Sequence, residues 1–185
     1  MIKKFYHGTL EEFGLDIYES QTFIHSDGEE HLLGKGIYLY EDLDQAKVWG
    51  ITKSKSDKYA GSKPILLEVE VDFQEDYYLD LDSREGQDFF FDQRNTFFYL
   101  VKDKNILKVK NYYTDSHFCD FLVDKTSDTM LSKTFVYIHK KSRQMPYRHT
   151  NQKKTDRDIT RHFRTEKQFC LKDDNLVKKI SIIEL

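Results

Sequence analysis

Three short segments contain the residues whose types and spacing could do chemistry. The first is Tyr6-His7-Gly8-Thr9. The second is Gly34-Lys35-Gly36-Ile37-Tyr38-Leu39, which begins 26 residues after Gly8. Trp49 follows eleven residues after Tyr38. The third is the pair Glu166 and Gln168, which share one face of a predicted strand because side chains alternate along a strand. A carboxylate there could pair with a developing cation or act as a base, whereas an amide only hydrogen-bonds.

Each segment taken alone has a simpler interpretation. A histidine at a strand end is as typical of a surface or capping position as of a catalytic one. Aromatic residues such as Tyr38 and Trp49 usually pack in cores, and Glu166 could be a solvated charge at a strand edge. The order and spacing of the segments are more specific than any one of them.

The combined pattern resembles the catalytic domain of the poly(ADP-ribose) polymerase-like, or diphtheria-toxin-like, ADP-ribosyltransferases. The elements that match are His7-Gly8-Thr9, the Gly34–Leu39 run, Ala46, Trp49 and a late strand that contains Gln168. The resemblance covers residues 2–72 and 164–185, and residues 73–163 match no motif. It implies a split pair of mostly antiparallel sheets with flanking helices.

The resemblance also implies NAD+ as co-substrate and a role for each matching residue. The backbone of Gly8 would bind the nicotinamide carboxamide, His7 would contact the adenosine ribose, and Tyr38 and Trp49 would supply aromatic faces for a flat cationic ring. Thr9 and Gly36 complete the implied NAD+-binding set. The implied catalytic residues are Gln168, Glu166, His7 and Tyr38.

Gln168 stands where the family has a glutamate. The base would then be Glu166, the acceptor itself, or absent, and the loss of a carboxylate favours transfer of a single ADP-ribose over chain elongation. The resemblance thus implies a mono-ADP-ribosyltransferase acting on a macromolecule, of the kind found as bacterial or phage toxins, effectors or defence components, with a possible antitoxin or immunity partner. The alternative is a non-catalytic module that binds NAD+, ADP-ribose or RNA.

The charge of the chain is unevenly distributed. The net charge is −3, but residues 1–132 carry 15 basic and 26 acidic side chains, residues 133–167 carry 11 and 3, and the last 18 carry 3 and 3. This pattern excludes a uniformly basic nucleic-acid-binding chain and leaves one basic segment in an acidic body. Residues 140–167 could bind a nucleic-acid acceptor, with basic side chains contacting phosphates and interleaved aromatic residues stacking on bases. The segment could instead bind an acidic protein acceptor or form a solvated loop.

Several classes of protein are not expected from the composition. No apolar stretch approaches the ~20 residues of a membrane span, and the first residues lack the apolar core of a secretory signal, so a cytoplasmic protein without membrane contact is expected. The two cysteines, Cys119 and Cys170, do not suggest a disulfide framework, and the scattered histidines do not suggest a metal site. We expect Cys170 to be a buried thiol and residues 1–185 to form one domain.

The periodicities predict an α+β fold. Strands are expected at residues 2–8, 36–40, 65–71, 77–81, 134–139, 168–172 and 180–184, with a turn at 175–179. Helices are expected at 42–59 and 87–101, and a helix or irregular segment at 116–124, while a polar loop is expected between the first two strands. The aromatic residues of the 87–101 helix, including Phe90, Phe91 and Phe97, are expected in the core.

Overall fold

The structure is a computed structural model that describes residues 1–26, 31–101, 115–136 and 165–183. Its strands are β1 (Ile2–Leu10), β2 (Ile37–Leu39), β3 (Pro64–Asp72), β4 (Tyr78–Asp80), β5 (Met130–Val136), β6 (Thr165–Leu171) and β7 (Val177–Ile183). Its helices are α1 (Glu11–Ser20), α2 (Leu43–Ser54), α3 (Arg84–Val101) and α4 (Asp115–Thr126). The predicted α+β class is confirmed.

The strands form two separate sheets. The first has the order β1-β3-β7 and is antiparallel throughout. The second has the order β2-β6-β5-β4, in which only the β4–β5 pair is parallel. The split, mostly antiparallel arrangement expected from the sequence is therefore present.

The main hydrophobic core lies between the two sheets. Phe5, Leu67 and Val69 of the first sheet pack with Leu39 and Phe169 of the second, and all five are essentially inaccessible to solvent. The opposite face of the second sheet packs against α3 and α4 through a second cluster that includes Leu131, Phe118 and Leu122. Both clusters follow the two-residue alternation of buried strand residues.

Helix α2 covers the outer face of the first sheet and approaches β1 very closely at Gly8. A Cβ atom added to Gly8 would lie 1.8 Å from the backbone oxygen of Ala46 and 2.9 Å from the nitrogen of Gly50. Only glycine allows a helix backbone to lie so near a strand backbone. Asp42 begins the helix by accepting a hydrogen bond from the Gln45 backbone N–H at 2.9 Å.

The prediction of a polar loop between β1 and β2 is wrong, because residues 11–20 form α1. The helix is short, and Gly14 in its middle lowers intrinsic helix propensity. Gly14 is buried against β3, where an added Cβ would meet Ile65 Cγ2 at 2.2 Å. Tertiary packing therefore favours a helix that the local sequence does not indicate.

Four other predictions need correction. Helix α2 ends at Ser54 rather than at residue 59, and β7 begins at Val177, inside the predicted turn 175–179. Strand β5 begins at Met130 rather than at residue 134, and the predicted strand residues 137–139 lie outside the described residues. On α3, Phe90 and Phe97 are buried in the second cluster as expected, but Phe91, which was also expected in the core, is 54% exposed.

Most of the basic segment, residues 137–164, lies outside the described residues. Its predicted role at the acceptor therefore stays a prediction. No helix in the described ranges combines the length and the hydropathy that crossing a bilayer requires.

Candidate functional site

The two sheets meet at an antiparallel bridge and then diverge. Tyr6 and Tyr40 exchange backbone hydrogen bonds, with nitrogen-to-oxygen distances of 2.7 and 2.9 Å. Because backbone groups alternate in direction along a strand, the N–H and C=O of Gly8 point to the same side of β1 as those of Tyr6. In the described part of the chain neither group of Gly8 has a partner across this edge, so both face the gap where the sheets separate.

His7 lies in this gap and connects the two sheets. Its Nδ1 lies 2.8 Å from the carbonyl oxygen of Tyr38. Because a carbonyl only accepts hydrogen bonds, the neutral ring carries its proton on Nδ1 and has an acceptor at Nε2. The edge of the ring packs against Phe23 at a centroid distance of 5.3 Å.

The electrostatic environment keeps His7 neutral. The pKa of the imidazole is lowered from 6.5 to about 4, mainly by burial and also by the nearby charge of Lys53, against the opposing effect of the hydrogen bond to Tyr38. At neutral pH the ring is therefore uncharged, and Nε2 can accept a hydrogen bond from a ligand hydroxyl.

A cavity of about 410 Å³ opens beside His7, between α1 and the diverging sheets. This volume falls within the range of about 300–1,000 Å³ that is common for small-molecule sites. Its wall combines apolar and hydrogen-bonding residues from β1, α1, the following loop, β2 and its preceding turn, and α2: His7, Thr9, Phe13, Asp16, Ile17, Ser20, Thr22, Phe23, Ile24, Ser26, Gly36, Ile37, Tyr38 and Lys53. Four of the sequence-predicted site residues, His7, Thr9, Gly36 and Tyr38, thus meet at one cavity.

The hydroxyl of Tyr38 holds the glycine-containing turn that precedes β2. It donates to the Gly34 carbonyl oxygen at 2.8 Å and accepts from the Leu33 N–H at 3.0 Å. Gly34 has a φ of +81°, a conformation that favours glycine. The turn therefore fixes the orientation of the Tyr38 ring, which packs against the second cluster, whereas the neighbouring Ile37 and Leu39 belong to the main core.

Lys172 binds the same turn from the other side. Its Nζ donates to the carbonyl oxygens of Leu33 and Lys35 at 2.8 and 2.7 Å and to Asp120 Oδ1 at 2.9 Å. The Lys172 side chain is only 7% exposed. No sequence motif predicts this contact, since Lys172 and Asp120 are distant in sequence from the turn that they hold.

Gln168 and Trp49 lie outside the wall of the cavity. Gln168 is 6% exposed on β6, and its Nε2 donates to the Tyr40 hydroxyl at 3.4 Å. Trp49 is 39% exposed on α2. One helical turn before it, Gln45 donates to the Thr165 carbonyl oxygen at 3.2 Å, so the helix face that bears Trp49 approaches the start of β6.

Glu166 is half-buried on β6, two residues before Gln168 and on the same strand face. Lys167 points to the opposite face, where its Nζ lies 3.0 Å from Asp80 Oδ2 and 3.8 Å from Asp82 Oδ2. Asp82 in turn accepts from the backbone N–H and the hydroxyl of Thr134. These contacts link β6 to β4 and β5. They also pair Lys167, one cation of the basic segment that was predicted to face an acceptor, with carboxylates of the protein itself.

Lys53 and Asp16 are wall residues that belong to none of the three sequence motifs. Lys53 follows Trp49 by four residues on α2, so helical spacing from Trp49 was a signal that could have indicated it. Asp16 belongs to α1, which was expected to be a loop. Cys170 is fully buried, as predicted, and burial raises the pKa of its thiol to about 11.

Comparison with known proteins leaves the activity open. The chain is 26% identical over 190 residues to an uncharacterized protein of Methanocaldococcus jannaschii, an alignment that spans 97% of this chain and 86% of that relative. No family model matches the sequence. No solved structure matches it significantly.

Proposed function

We propose that this protein is an ADP-ribosyltransferase that cleaves NAD+ and transfers one ADP-ribose to a macromolecular acceptor. The observation that carries the proposal is the meeting of two distant motifs at one cavity. His7 and Thr9 of the first motif and Gly36 and Tyr38 of the second all line it, although some 30 residues separate them in sequence. Core packing alone would not require these residues to share a cavity.

The position of each residue suggests how NAD+ would bind. The adenosine half fits the cavity, where the neutral Nε2 of His7 would accept a hydrogen bond from a ribose hydroxyl. The nicotinamide half would lie over the free edge of β1, where the N–H and C=O of Gly8 match the donor and acceptor of a carboxamide. Trp49 would cover the ring from α2 with its exposed face.

The proposed reaction breaks the bond between the nicotinamide nitrogen and ribose C1′. Nicotinamide leaves with the bonding electron pair, and an acceptor oxygen or nitrogen forms the new bond to C1′ and loses its proton. The ribose passes through an oxocarbenium-like cation, which an oxygen-bearing side chain stabilises. Gln168 would orient the ribose hydroxyls, and Glu166 on the same strand face would serve as the base.

The test is incubation of the purified chain with labelled NAD+ and cell lysate, followed by measurement of nicotinamide release and of labelled macromolecules. We expect both products from the wild-type protein. Absence of both, with the protein shown to be folded, contradicts the proposal. Nuclease and protease treatment of the labelled product then distinguishes a nucleic-acid acceptor, bound through residues 140–167, from a protein acceptor.

Substitution of Gln168 tests the proposed reaction centre. We expect Gln168→Ala to lower the rate of nicotinamide release by about 100- to 1,000-fold, as for loss of one positioned hydrogen-bonding group. Gln168→Glu should retain the activity, since a carboxylate can orient the same hydroxyls and pair with the cation. Gln93→Ala on α3 serves as the control, and full activity of Gln168→Ala would remove Gln168 from the reaction centre.

One observation favours a second function, a module that binds NAD+ or ADP-ribose without cleaving it. Gln168 is buried, bonded to the Tyr40 hydroxyl, and outside the cavity wall. A protein of this kind would bind ADP-ribose and release no nicotinamide. The same incubation, combined with a direct binding measurement, distinguishes the two functions.

The biological setting belongs to the same proposal. A role as a bacterial or phage toxin, effector or defence component follows from the resemblance. An antitoxin or immunity partner would then be needed to control the enzyme.

A further inference from the structure

Lys53 brings a positive charge into the cavity from the last turn of α2. Its Nζ donates to the Thr9 hydroxyl at 3.3 Å and lies 5.4 Å from the centroid of the Phe13 ring. The side chain is half-buried, and Thr9 is almost fully buried. The ammonium group is therefore held in place at the wall rather than extended into solvent.

The charge of Lys53 has no close counter-ion within the described ranges. No carboxylate there lies within 4.0 Å of its Nζ, although Asp16 is also in the wall of the cavity. An ammonium group has three donors, and the Thr9 hydroxyl takes one of them. Burial lowers the pKa of Lys53, and the charge of Lys58 lowers it further, against the opposing effect of Tyr59.

A half-buried cation with unused donors is stabilised by an anionic ligand. A bound anion compensates the desolvation of the ammonium group and takes the remaining donors. Lys53 follows Trp49 by one helical turn and lies in the same cavity wall as His7. If Trp49 covers the nicotinamide and His7 binds the adenosine ribose, Lys53 lies between the two nucleosides, where a dinucleotide carries its diphosphate.

We propose that Lys53, positioned by Thr9, binds the diphosphate of the nucleotide that occupies the cavity. The inference rests on the proposed function for the identity of the dinucleotide. It adds a binding residue that the motifs do not contain, and it predicts a ligand preference that can be measured without any turnover. A compact point charge such as an ammonium group suits a phosphate oxygen.

The experiment compares ADP with adenosine as ligands of the full chain by isothermal titration calorimetry. We expect the wild-type protein to bind ADP about 10- to 100-fold more tightly than adenosine, as for a charge-assisted hydrogen bond. Lys53→Met should remove this preference and leave the affinity for adenosine unchanged. Lys55→Met is the matched control, because Lys55 is exposed just beyond the same helix and its substitution should leave the preference intact.

The possible results separate this inference from the proposed function. Three results would overturn the role of Lys53, even if nicotinamide is released. The wild type could bind ADP and adenosine equally, it could bind neither, or Lys53→Met could keep the preference for ADP. A preference that depends on Lys53 in a protein that releases no nicotinamide supports the phosphate site and contradicts the transferase. Lys53→Arg, which keeps the charge, should retain tight ADP binding and shows whether a loss in Lys53→Met reflects charge or misfolding.

Discussion

Two glycines at one interface lead to opposite predictions for the same substitution. Gly8 on β1 and Gly50 on α2 both lie where the helix backbone packs against the strand. At Gly8 an added Cβ would lie 1.8 Å from the Ala46 carbonyl oxygen, whereas at Gly50 it would meet Thr9 backbone atoms at 3.4 Å, an ordinary contact distance. Gly8→Ala should destabilise the protein, and Gly50→Ala should be neutral or stabilising.

The magnitudes follow from these distances. Relief of the Gly8→Ala clash requires the Cβ-to-oxygen distance to grow by 1.6 Å, from 1.8 to 3.4 Å. The obstacle is backbone, so no side-chain rotation relieves it, and we expect a loss of about 3 kcal/mol, the upper end for overpacking. Gly50→Ala adds a better helix former without a clash and should contribute up to about 1 kcal/mol of stability.

The assay is urea unfolding of each full-length variant, followed by circular dichroism and tryptophan fluorescence. The Gly8→Ala midpoint should fall by about 1–2 M with an unchanged slope, and the Gly50→Ala midpoint should stay or rise. A Gly8→Ala variant as stable as the wild type would refute the close contact between α2 and β1. Destabilisation by both substitutions to the same extent would refute the difference that the geometry requires.

Two further predictions concern His7 and Trp49. Because the pKa of His7 is lowered from 6.5 to about 4, the unfolded state binds more protons than the folded state between these pH values, so the contribution of His7 to stability is full above pH 6.5 and falls as the pH drops towards 4. In pH-dependent urea unfolding, the wild type should lose on the order of 3 kcal/mol more than His7→Gln over this range, and parallel pH profiles would contradict the part-buried neutral ring. Trp49→Ala should weaken NAD+ binding by about 1–3 kcal/mol through lost stacking area. Unchanged affinity in calorimetry, with the variant shown to be folded by circular dichroism, would remove Trp49 from the site.

Local patterns predicted most of the regular structure. The alternation in Ile65–Val71 and the aromatic run of α3 are local features, and both elements form where they were expected. Helix α1 could not be predicted in this way, because its stability depends on the packing of Gly14 against β3. The start of β5 was missed for a similar reason, since Met130 pairs with Leu171 far along the chain.

The sequence by itself determined the α+β class and the set of motif residues, because periodicity and spacing are local properties of the chain. Only the tertiary structure decided which of those residues share a cavity. His7 and Tyr38 meet there because the sheets diverge beyond the Tyr6–Tyr40 bridge, whereas Gln168 is directed to Tyr40 by its strand register. Lys53 enters the wall because the glycine contact at β1 brings α2 close, and no local pattern encodes the distance between a helix and a strand.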